Sequence, residues 1–418
     1  MVLTIQNPDL ADYLRAGDRI AWPQGAGEPL TLTRKLMAAR HSVPGLSLFV
    51  GTLLSDTMTP DNCDGLTVHG VGGLGAGSKI SSAGLMEILP IRMTAVPRLL
   101  TAGGLNVDVA LLHLAGPDEN GRYSMGCTAD YVRELARCAR TVIAEVNDRA
   151  PFTMGDTLLD SSEIDVVVPV SYPPIQVRPR PAAPDSATYA VARNIAALIP
   201  DGATLQTGIG SVVDALPKLL AGHNDLGIHA GVIGDATLGL IRSGVVTNAR
   251  KEIDTGVTVT GALFGTDELY GWADHNPRVT LRPLTYTHSC TVLASFSSFW
   301  AINAAVEVDL TGQINSEVAG GRHLGAVGGQ LDFANAAMAS ASGRSIVGLT
   351  STAGNGTISR IRTHLPDGIV STARADADIV VTEFGAADLR GATLRQRRER
   401  LIEIAHPDHR NALRGLAV

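Results

Sequence analysis

A glycine pair beside polar side chains marks the stretch of this chain best suited to chemistry. The stretch reads Val327-Gly328-Gly329-Gln330-Leu331-Asp332-Phe333. It belongs to a longer segment, 303–336, in which acids and amides are dense beside apolar strand signals: Glu307, Asp309, Gln313, Asn315 and Glu317. Because glycine lets backbone N–H groups approach a ligand closely, this density favours a binding site. A hydrogen-bonded surface between two domains is the alternative interpretation.

Two more glycine turns each follow a predicted strand and precede a predicted helix. They read Gly25-Ala26-Gly27-Glu28-Pro29 and Gly208-Ile209-Gly210. The N-terminus of a helix favours an anion or a developing oxyanion, so Gly208 and Gly210 are candidates for ligand binding. Neither turn matches a Walker loop or a full dinucleotide fingerprint. A tight strand-to-helix turn without a ligand is therefore the alternative for both.

Cationic residues are frequent around a Ser/Thr/Gly loop in the C-terminal half. The loop reads Ser351-Thr352-Ala353-Gly354-Asn355-Gly356-Thr357, and the cationic residues are Arg322, His323, Arg344, Arg360 and Arg362. Guanidinium groups and loop amides suit phosphate binding. Ser351, Asn355 and Arg360 are thus candidates for holding a phosphorylated ligand. Unrelated surface arginines would give the same pattern.

Several classes of function are disfavoured. There is no Gly-x-Ser-x-Gly elbow, and no His-Glu-x-x-His or paired-histidine motif, which argues against a serine hydrolase or a zinc enzyme. The four cysteines are scattered without metal-like pairing, so we expect no metal site and a reduced, cytoplasmic protein. The net charge of −7 and the lack of a basic tail argue against nucleic acid as a partner.

Membrane insertion is not expected either. The N-terminus lacks a basic region followed by an apolar core, so a signal peptide is not predicted. Segment 288–306 carries no formal charge but contains several Ser, Thr and Asn residues. A buried strand-helix segment fits it better than a membrane span.

Short runs of Val, Ile and Leu alternate with helical patterns along the chain, which is typical of parallel βαβ units. The predicted strands are 47–50, 107–113, 141–145, 166–170, 204–207, 257–263, 346–349 and 379–382. The predicted helices are 30–39, 129–137, 187–198, 212–220 and 394–404. Strands this continuously apolar imply a sheet covered on both faces. The fold class is therefore α/β.

The length of 418 residues favours two domains. Five prolines between residues 171 and 184 resist helix and central strand and so predict an extended linker. We place the boundary there, giving domains 1–184 and 185–418. A short internal repeat supports two similar halves. From Gly17-Asp18-Arg19-Ile20 and again from Gly202-Ala203-Thr204-Leu205, a predicted strand is followed by a Gly-x-Gly turn and then a helix.

Taken together, these fragments resemble the acetyl-CoA hydrolase / 4-hydroxybutyrate CoA-transferase family over almost the whole chain. In the first half the matching stretches are Gly27-Glu28-Pro29, Pro117-Asp118-Glu119-Asn120-Gly121, Ser124-Met125-Gly126 and Ile143-Ala144-Glu145-Val146-Asn147-Asp148. In the second half they include Leu205-Gln206-Thr207-Gly208-Ile209-Gly210, Ala305 to Gln313, Gly325 to Phe333, Val381 to Gly391 and Ile404-Ala405-His406-Pro407.

The resemblance implies two related open α/β domains of the CoA-transferase type, with the active site in the cleft between them. It implies acyl-CoA and coenzyme A as substrates, no permanently bound cofactor, and a homodimer or homotetramer. In the family, a glutamate attacks the thioester and forms an acyl-glutamyl anhydride, which coenzyme A converts to an enzyme-CoA thioester. The amides of Gly328 and Gly329 would hold the thioester oxygen. Coenzyme A contacts are expected at Gly208, Gly210, Val327, Gln330, Asp332, Ser351, Asn355 and Arg360.

One departure from the family dominates the interpretation. The chain reads Gly227-Ile228-His229-Ala230-Gly231-Val232-Ile233-Gly234-Asp235, and family members have the nucleophilic glutamate where Gly231 stands. His229 and Asp235, on either side of Gly231, match the family pattern. Gly231 therefore corresponds to the position of the family glutamate. Loss of a nucleophile costs about 10⁶ in rate in another enzyme class. A second departure, between residues 52 and 95, makes the predicted acyl pocket less polar and implies a different acyl group.

Three functions follow as hypotheses. The first is acyl-CoA processing without a covalent glutamate, by hydrolysis or by direct acyl transfer to a non-carboxylate acceptor, with carbon-carbon chemistry left open. His229 or Glu28 would be the base, although a histidine after a strand is often structural. The second is an acyl-CoA:carboxylate CoA-transferase with a relocated nucleophile, taken from Glu28, Asp235, Glu307 or Glu317. The third is a non-catalytic CoA-binding protein. The acyl group, the acceptor and the pathway stay open.

Overall fold

A computed structural model describes residues 3–178 and 182–415, which divide into two compact units. The first unit contains the chain up to Arg178 together with Gly231–Asp235 and Val259–Thr287. The second contains the rest: 182–230, Ala236–Thr258 and 288–415. The boundary at residue 184 stays a prediction, and Pro179 and Pro181 of the predicted linker lie outside the described residues.

The first unit is built on an eight-stranded sheet whose neighbouring strands all pair in parallel. The strands lie in the order Leu3–Thr4, Val166–Val170, Thr141–Asn147, Val109–Leu114, Arg19–Ala21, Ser47–Val50, Thr67–Gly70 and Glu87–Ile88. Tyr123–Ser124 and Leu158–Leu159 form a separate antiparallel pair. Strands Thr258–Leu263 and Val279–Leu281 are hydrogen-bonded to each other and do not belong to this sheet.

Helices cover this sheet and close its core. The α-helices are Leu30–Ala39, Gly77–Ser82, Val96–Thr101, Val132–Cys138, Asp267–Ala273 and Leu284–Thr287. Short 3₁₀ turns lie at Leu10–Asp12, Gly25–Gly27, Pro60–Asn62, Met93–Ala95 and Ser161–Glu163. Helix Leu30–Ala39 buries Leu32 and Leu36, one turn apart, in the same cluster as Leu48 and Val50 of the sheet. That apolar stripe fixes the helix on the sheet.

In the second unit, six strands are hydrogen-bonded neighbours, and their lateral order differs from their order in the chain. The order is Gly227–Ile233, Thr204–Thr207, Phe299–Ala304, Arg344–Gly348, Ile379–Thr382 and Gly385–Asp388. The first five pair in parallel and the last is antiparallel. The last three residues of strand Gly227–Ile233 belong to the first unit.

Helices and small sheets complete the second unit. The helices are Ala187–Ala196, Ser211–Leu219, Asp235–Arg242, Cys290–Leu293, Gln330–Ala339, Leu394–Glu403 and Pro407–Gly415, with a 3₁₀ turn at Arg374–Asp376. The small sheets contain Glu307–Asp309, Ile314–Asn315 and Ile361–Arg362 in one, Val318–Ala319 with Arg322–His323 in another, and Thr352–Ala353 with Ile358–Ser359 in a third. None of the helices formed by residues 3–178 and 182–415 has the length and apolar character needed to cross a bilayer.

Both units reverse their strand order at one point. In the first unit, strand Arg19–Ala21 has the next strand of the chain, Ser47–Val50, on one side and Val109–Leu114 on the other. In the second, Thr204–Thr207 has Gly227–Ile233 on one side and Phe299–Ala304 on the other. This shared arrangement confirms the prediction of two related α/β halves. Ligands bind at the carboxyl ends of parallel strands where the order reverses, and both predicted Gly-x-Gly turns lie there.

Candidate functional site

The loop that follows strand Arg19–Ala21 is held rigidly at the reversal point of the first unit. Gly25 N donates to the carbonyl of Thr52 at 2.8 Å, and Thr52 N donates to Gln24 Oε1 at 3.3 Å. Gly25 has φ +63°, and a Cβ there would lie 2.1 Å from Cε1 of Phe264. Only glycine fits this position, because both the backbone angle and the aromatic ring exclude a side chain.

Glu28 ends this loop, and hydroxyl groups surround its carboxylate. The residue is 1% exposed, and it accepts hydrogen bonds from Thr33 Oγ1 at 3.0 Å, from Ser55 Oγ at 2.9 and 2.8 Å, and from Thr57 Oγ1. Burial raises the pKa of Glu28, and the hydroxyl groups of Thr57, Ser55 and Thr33 oppose that effect. Because both oxygens are occupied, the geometry favours Glu28 as the residue that holds the loop. Its role as a base stays a prediction.

The helix that starts after this loop is capped from elsewhere in the chain. Leu30 N donates to the hydroxyl of Tyr172 at 3.1 Å, Leu32 N donates to Glu145 Oε1, and Tyr172 donates to Glu145 Oε2. Burial raises the pKa of Glu145 to about 7, against the hydrogen bonds from Tyr172 and Leu32 that lower it. These two side chains satisfy first-turn amides that a helix leaves without internal partners. Sequence reasoning gave Glu145 no role, although it lies in a stretch that matches the family.

Gly231, the position of the missing nucleophile, lies half-buried within strand Gly227–Ile233. A Cβ built on Gly261 would lie 2.9 Å from the carbonyl oxygen of Gly231 and 2.4 Å from Asp130 Oδ1. Asp130 is 1% exposed, and its Oδ2 accepts a hydrogen bond from Gln24 Nε2 at 2.6 Å. The carboxylate of Asp130 and the backbone of Gly231 therefore lie side by side, and only the Cα hydrogens of Gly261 fit between them.

Asp130 was missed by sequence reasoning. Burial raises its pKa to about 6, and the hydrogen bond from Gln24 opposes that effect. The available signal was an acid in an otherwise apolar stretch, shortly after Ser124-Met125-Gly126. Sequence spacing could not show the contact, because Gln24 is 106 positions away.

The predicted glycine pair of the second unit lies at the start of helix Gln330–Ala339. Gly328 has φ +57°, and Gly329 is the residue before the helix. A Cβ on Gly329 would lie 2.5 Å from Nε2 of His288, a buried ring that packs on Phe333. Burial lowers the pKa of His288 to about 3, so this ring is neutral at physiological pH. Amides in the first turn of a helix have no partner within the helix, so those at this helix start suit an oxyanion.

Polar side chains fix the residues next to the glycine pair. Gln330 Oε1 accepts a hydrogen bond from Ser316 Oγ at 2.9 Å, and its Nε2 donates to Thr372 Oγ1 at 3.2 Å. Glu317 Oε1 accepts a hydrogen bond from Ser371 Oγ at 2.6 Å. The polar density of segment 303–336 thus includes a network that positions the turn. Val327 is half-buried, and Asp332 is buried in the first turn of the helix.

Gly208 and Gly210 lie at the reversal point of the second unit. A Cβ on Gly208 would lie 2.7 Å from Asn303 Oδ1. Asn303 and Gln206 exchange amide hydrogen bonds of 3.3 and 3.2 Å. Gly210 has φ +123° and precedes helix Ser211–Leu219. Both positions require glycine, the first because of the amide of Asn303 and the second because of its backbone angle.

Some arginines of the predicted cluster form ion pairs with carboxylates, and others do not. Arg344 pairs with Asp378 at 3.0 Å and with Asp388 at 2.8 Å, and Arg362 pairs with Glu307 at 2.7 Å. Arg360 is half-buried, and its guanidinium forms no hydrogen bond or ion pair with residues 3–178 or 182–415. Among the described residues, Arg360 and the exposed Arg322 are thus the arginines of this group that form no ion pair with a carboxylate.

Three other predicted residues have different surroundings. Ser351 is fully buried and donates its hydroxyl to Glu383 at 2.6 Å. Asn355 is exposed at the tip of a hairpin, with φ +53°. His229 is fully buried, and its ring contacts the ring of Phe296 with centroids 5.3 Å apart. Of the three, Asn355 is the one that lies open to a ligand from solvent.

Known proteins match this chain along nearly all its length. The acetyl-CoA hydrolase/transferase N-terminal domain matches residues 4–175, and the C-terminal domain of the same name matches residues 265–417. The chain is 36% identical over 398 residues to 4-hydroxybutyrate coenzyme A transferase of Clostridium kluyveri, covering 94% of this chain and 92% of that protein. It is 35% identical over 407 residues to succinyl-CoA:cyclohexane-1-carboxylate CoA transferase of Geobacter metallireducens, covering 97% and 92%.

A solved structure gives the same result. RipA from Yersinia pestis superposes with a TM-score of 0.92 at 32% identity, covering 99% of this chain and 96% of that one.

Proposed function

The chain belongs to the acetyl-CoA hydrolase/transferase family, and from that premise we propose that it processes acyl-CoA thioesters without a covalent glutamate. The proposed reaction is hydrolysis, or direct acyl transfer to an acceptor that is not a carboxylate. The observation that carries this proposal is the glycine at position 231, inside strand Gly227–Ile233. Glycine offers no side chain that can attack or be acylated.

The second unit supplies the proposed contacts to the substrate. The amides at the Gly328-Gly329 turn would stabilise the oxygen of the thioester as negative charge develops on it. The turn at Gly208 and Gly210 and the guanidinium of Arg360 are proposed to bind coenzyme A. Support for this comes from the reversal of strand order at Gly208 and from the available donors of Arg360.

Carboxylates proposed as relocated nucleophiles are engaged in other contacts. Glu28 accepts hydrogen bonds from three hydroxyl groups, Glu317 accepts one from Ser371, and Glu307 pairs with Arg362. Asp235 Oδ1 accepts a hydrogen bond from Thr266 N at 3.0 Å. Freeing any of them for attack costs these interactions, which supports a reaction in which no glutamyl anhydride forms.

The test is an attempt to trap the anhydride. The full chain is incubated with acetyl-CoA, propionyl-CoA or butyryl-CoA, and release of the free thiol is followed with and without acetate. Borohydride is then added, and the peptides are analysed by mass spectrometry. We expect thiol release that does not require acetate, and no reduced carboxyl side chain.

A matched variant makes the trapping informative. Gly231→Glu restores a carboxylate at a strand position whose extended backbone any residue adopts. We expect borohydride to label this variant at residue 231 and to leave the wild type unlabelled. A labelled carboxylate in the wild type, or acetate-dependent CoA transfer with ping-pong kinetics, would overturn the proposal.

A further inference from the structure

We propose that His288 is a positioning residue for the oxyanion-binding turn, and that it fixes the backbone of Gly328 and Gly329 by packing its ring against Gly329. This inference rests on the proposed function, which gives that turn the task of holding the thioester oxygen. It adds a residue that acts through the turn and not through a contact with the substrate. All the contacts involved lie within the second unit.

The first argument is the conformation of the turn. Gly328 has φ +57°, in the left-handed region, and Gly329 has φ −95° and ψ −1°, in the right-handed region. Left-handed and right-handed residues in succession form a concavity of backbone N–H groups that suits an anion. Glycine is the residue with the greatest backbone freedom, so two glycines in succession need an outside contact to hold these angles.

The second argument is the reason for a glycine at position 329. Its φ of −95° is one that other residues also adopt, so the backbone angle does not require glycine. The excluding contact is a ring, because a Cβ would lie 2.5 Å from Nε2 and 2.6 Å from Cδ2 of His288. The imidazole therefore occupies the space that a side chain of residue 329 would fill, and it prevents the turn from moving in that direction.

The third argument is that the imidazole is itself held in place. His288 is buried, and its ring packs on the ring of Phe333 with centroids 4.4 Å apart. Phe333 N donates to the carbonyl of Gly329 at 3.1 Å, and the Phe333 ring packs near Phe299 of the buried cluster. The ring of His288 thus lies between a packed aromatic cluster and the turn, where a loss of the ring would leave Gly329 unsupported.

The experiment measures thiol release by the full chain from pH 5 to 8.5, with the acyl-CoA that the wild type uses best. His288→Ala removes the ring and should lower kcat by about 10- to 100-fold. KM should stay within about twofold of the wild type, because the oxyanion forms only in the transition state. His288→Asn keeps a smaller planar group and should lose less kcat than His288→Ala.

Two readouts distinguish positioning from other roles. His288 is neutral throughout this pH range, because burial lowers its pKa to about 3, so its variants should keep the pH limbs of the wild type. Leu293→Ala is the control for a general loss of packing, since Leu293 belongs to the same buried cluster as Phe333. Urea unfolding should show a loss of stability in this control, and its kcat, measured where it is fully folded, should match the wild type.

A double variant tests whether the ring and the glycine act through one contact. Gly329→Ala alone forces its Cβ against the imidazole, whereas His288→Ala removes the obstructing ring. The kcat of the double variant should therefore be close to that of His288→Ala, and not lower by the product of the two single losses. Losses that multiply would show that the two residues act independently, and the inference would be wrong.

The remaining outcomes separate this inference from the proposed function. If His288→Ala keeps the kcat of an active wild type, or Leu293→Ala loses as much kcat as His288→Ala, the inference is overturned and the proposed function stands. If a pH limb of the wild type vanishes in His288→Asn, His288 carries a proton and its role is not positioning.

The converse result is also observable. If borohydride labels a carboxylate of the wild type while His288→Ala still loses kcat, the proposed function is wrong and the inference stands, because the same turn would hold the oxygen of a covalently attacked thioester. If calorimetry and kinetics detect neither acyl-CoA binding nor turnover by the wild type, both are wrong.

Discussion

Replacing Glu145 with glutamine should make the protein more stable at alkaline pH. Glu145 is fully buried, and its carboxylate accepts hydrogen bonds from Leu32 N and from the hydroxyl of Tyr172. Glu145→Gln keeps the shape of the side chain and an oxygen for the amide of Leu32, but it removes the negative charge and places an NH₂ group, which cannot accept, beside the hydroxyl of Tyr172. The difference between its effects at low and at high pH therefore measures what the charge costs or contributes.

The pKa sets both the sign and the size of the expected effect. The pKa of Glu145 is raised from an ordinary value of 4.5 to about 7, so the folded chain binds this proton more tightly than the unfolded chain. The free energy of unfolding should then fall as pH rises from about 4.5 to 7. The full change is roughly 3 kcal/mol. At high pH the charged carboxylate still interacts favourably with the N-terminus of helix Leu30–Ala39. Its burial away from water costs more free energy than that interaction provides.

The assay is urea unfolding of the wild type and Glu145→Gln at pH 5 and pH 8.5, with exposed Glu119→Gln as the control. We expect the stability of the variant relative to the wild type to rise by up to about 3 kcal/mol between pH 5 and pH 8.5. If Glu145→Gln were less stable at both pH values by a similar amount, the helix capping by a charged Glu145 would outweigh its desolvation. The reasoning from burial would then be wrong.

Two further predictions test single contacts, and a third variant, Gly368→Ala, is the control for the first. Gly329→Ala places a Cβ 2.5 Å from Nε2 of buried His288, so it should cost about 1–3 kcal/mol by overpacking and slow acyl-CoA turnover. Gly368→Ala, with φ +67° and open space around it, should cost about 1–2 kcal/mol through its backbone alone and leave turnover unchanged. Asp378→Ala should lower the free energy of urea unfolding by about 3 kcal/mol, because the fully buried Asp378 binds Arg344 at 3.0 Å. A loss below 0.5 kcal/mol would show that the ion pair is dispensable.

Sequence patterns located the central strands well. The predictions for 47–50, 166–170, 204–207 and 379–382, and for helix 30–39, match the observed bounds. Continuous β-branched runs in parallel sheets carry a strong signal, as does a helix with one apolar face. Helix Gln330–Ala339 was not predicted because six of its ten residues are buried. An almost completely buried helix lacks the alternation of apolar and polar faces that reveals an amphipathic one.

The site was only partly predictable. The glycine turns were found because glycine itself shows where a backbone needs a positive φ or a close contact. Asp130 and Glu145 were not found, because a single acid in a sequence does not show what its carboxylate contacts. Their partners Gln24 and Leu32 lie 106 and 113 positions away. In the arginine group, adjacency in sequence could not show that Arg362 forms an ion pair with Glu307 while its near neighbour Arg360 forms none with the described residues.

The way the chain alternates between the two units has a consequence for its biosynthesis. The first unit includes Gly231–Asp235 and Val259–Thr287, which the ribosome makes long after residue 178. An emerging N-terminal half therefore lacks two of its own pieces and cannot reach its final packing until more than two thirds of the polypeptide exists. A gene cut between the halves would yield an N-terminal fragment that lacks two segments of its own unit and a C-terminal fragment that carries those segments in addition to its own unit.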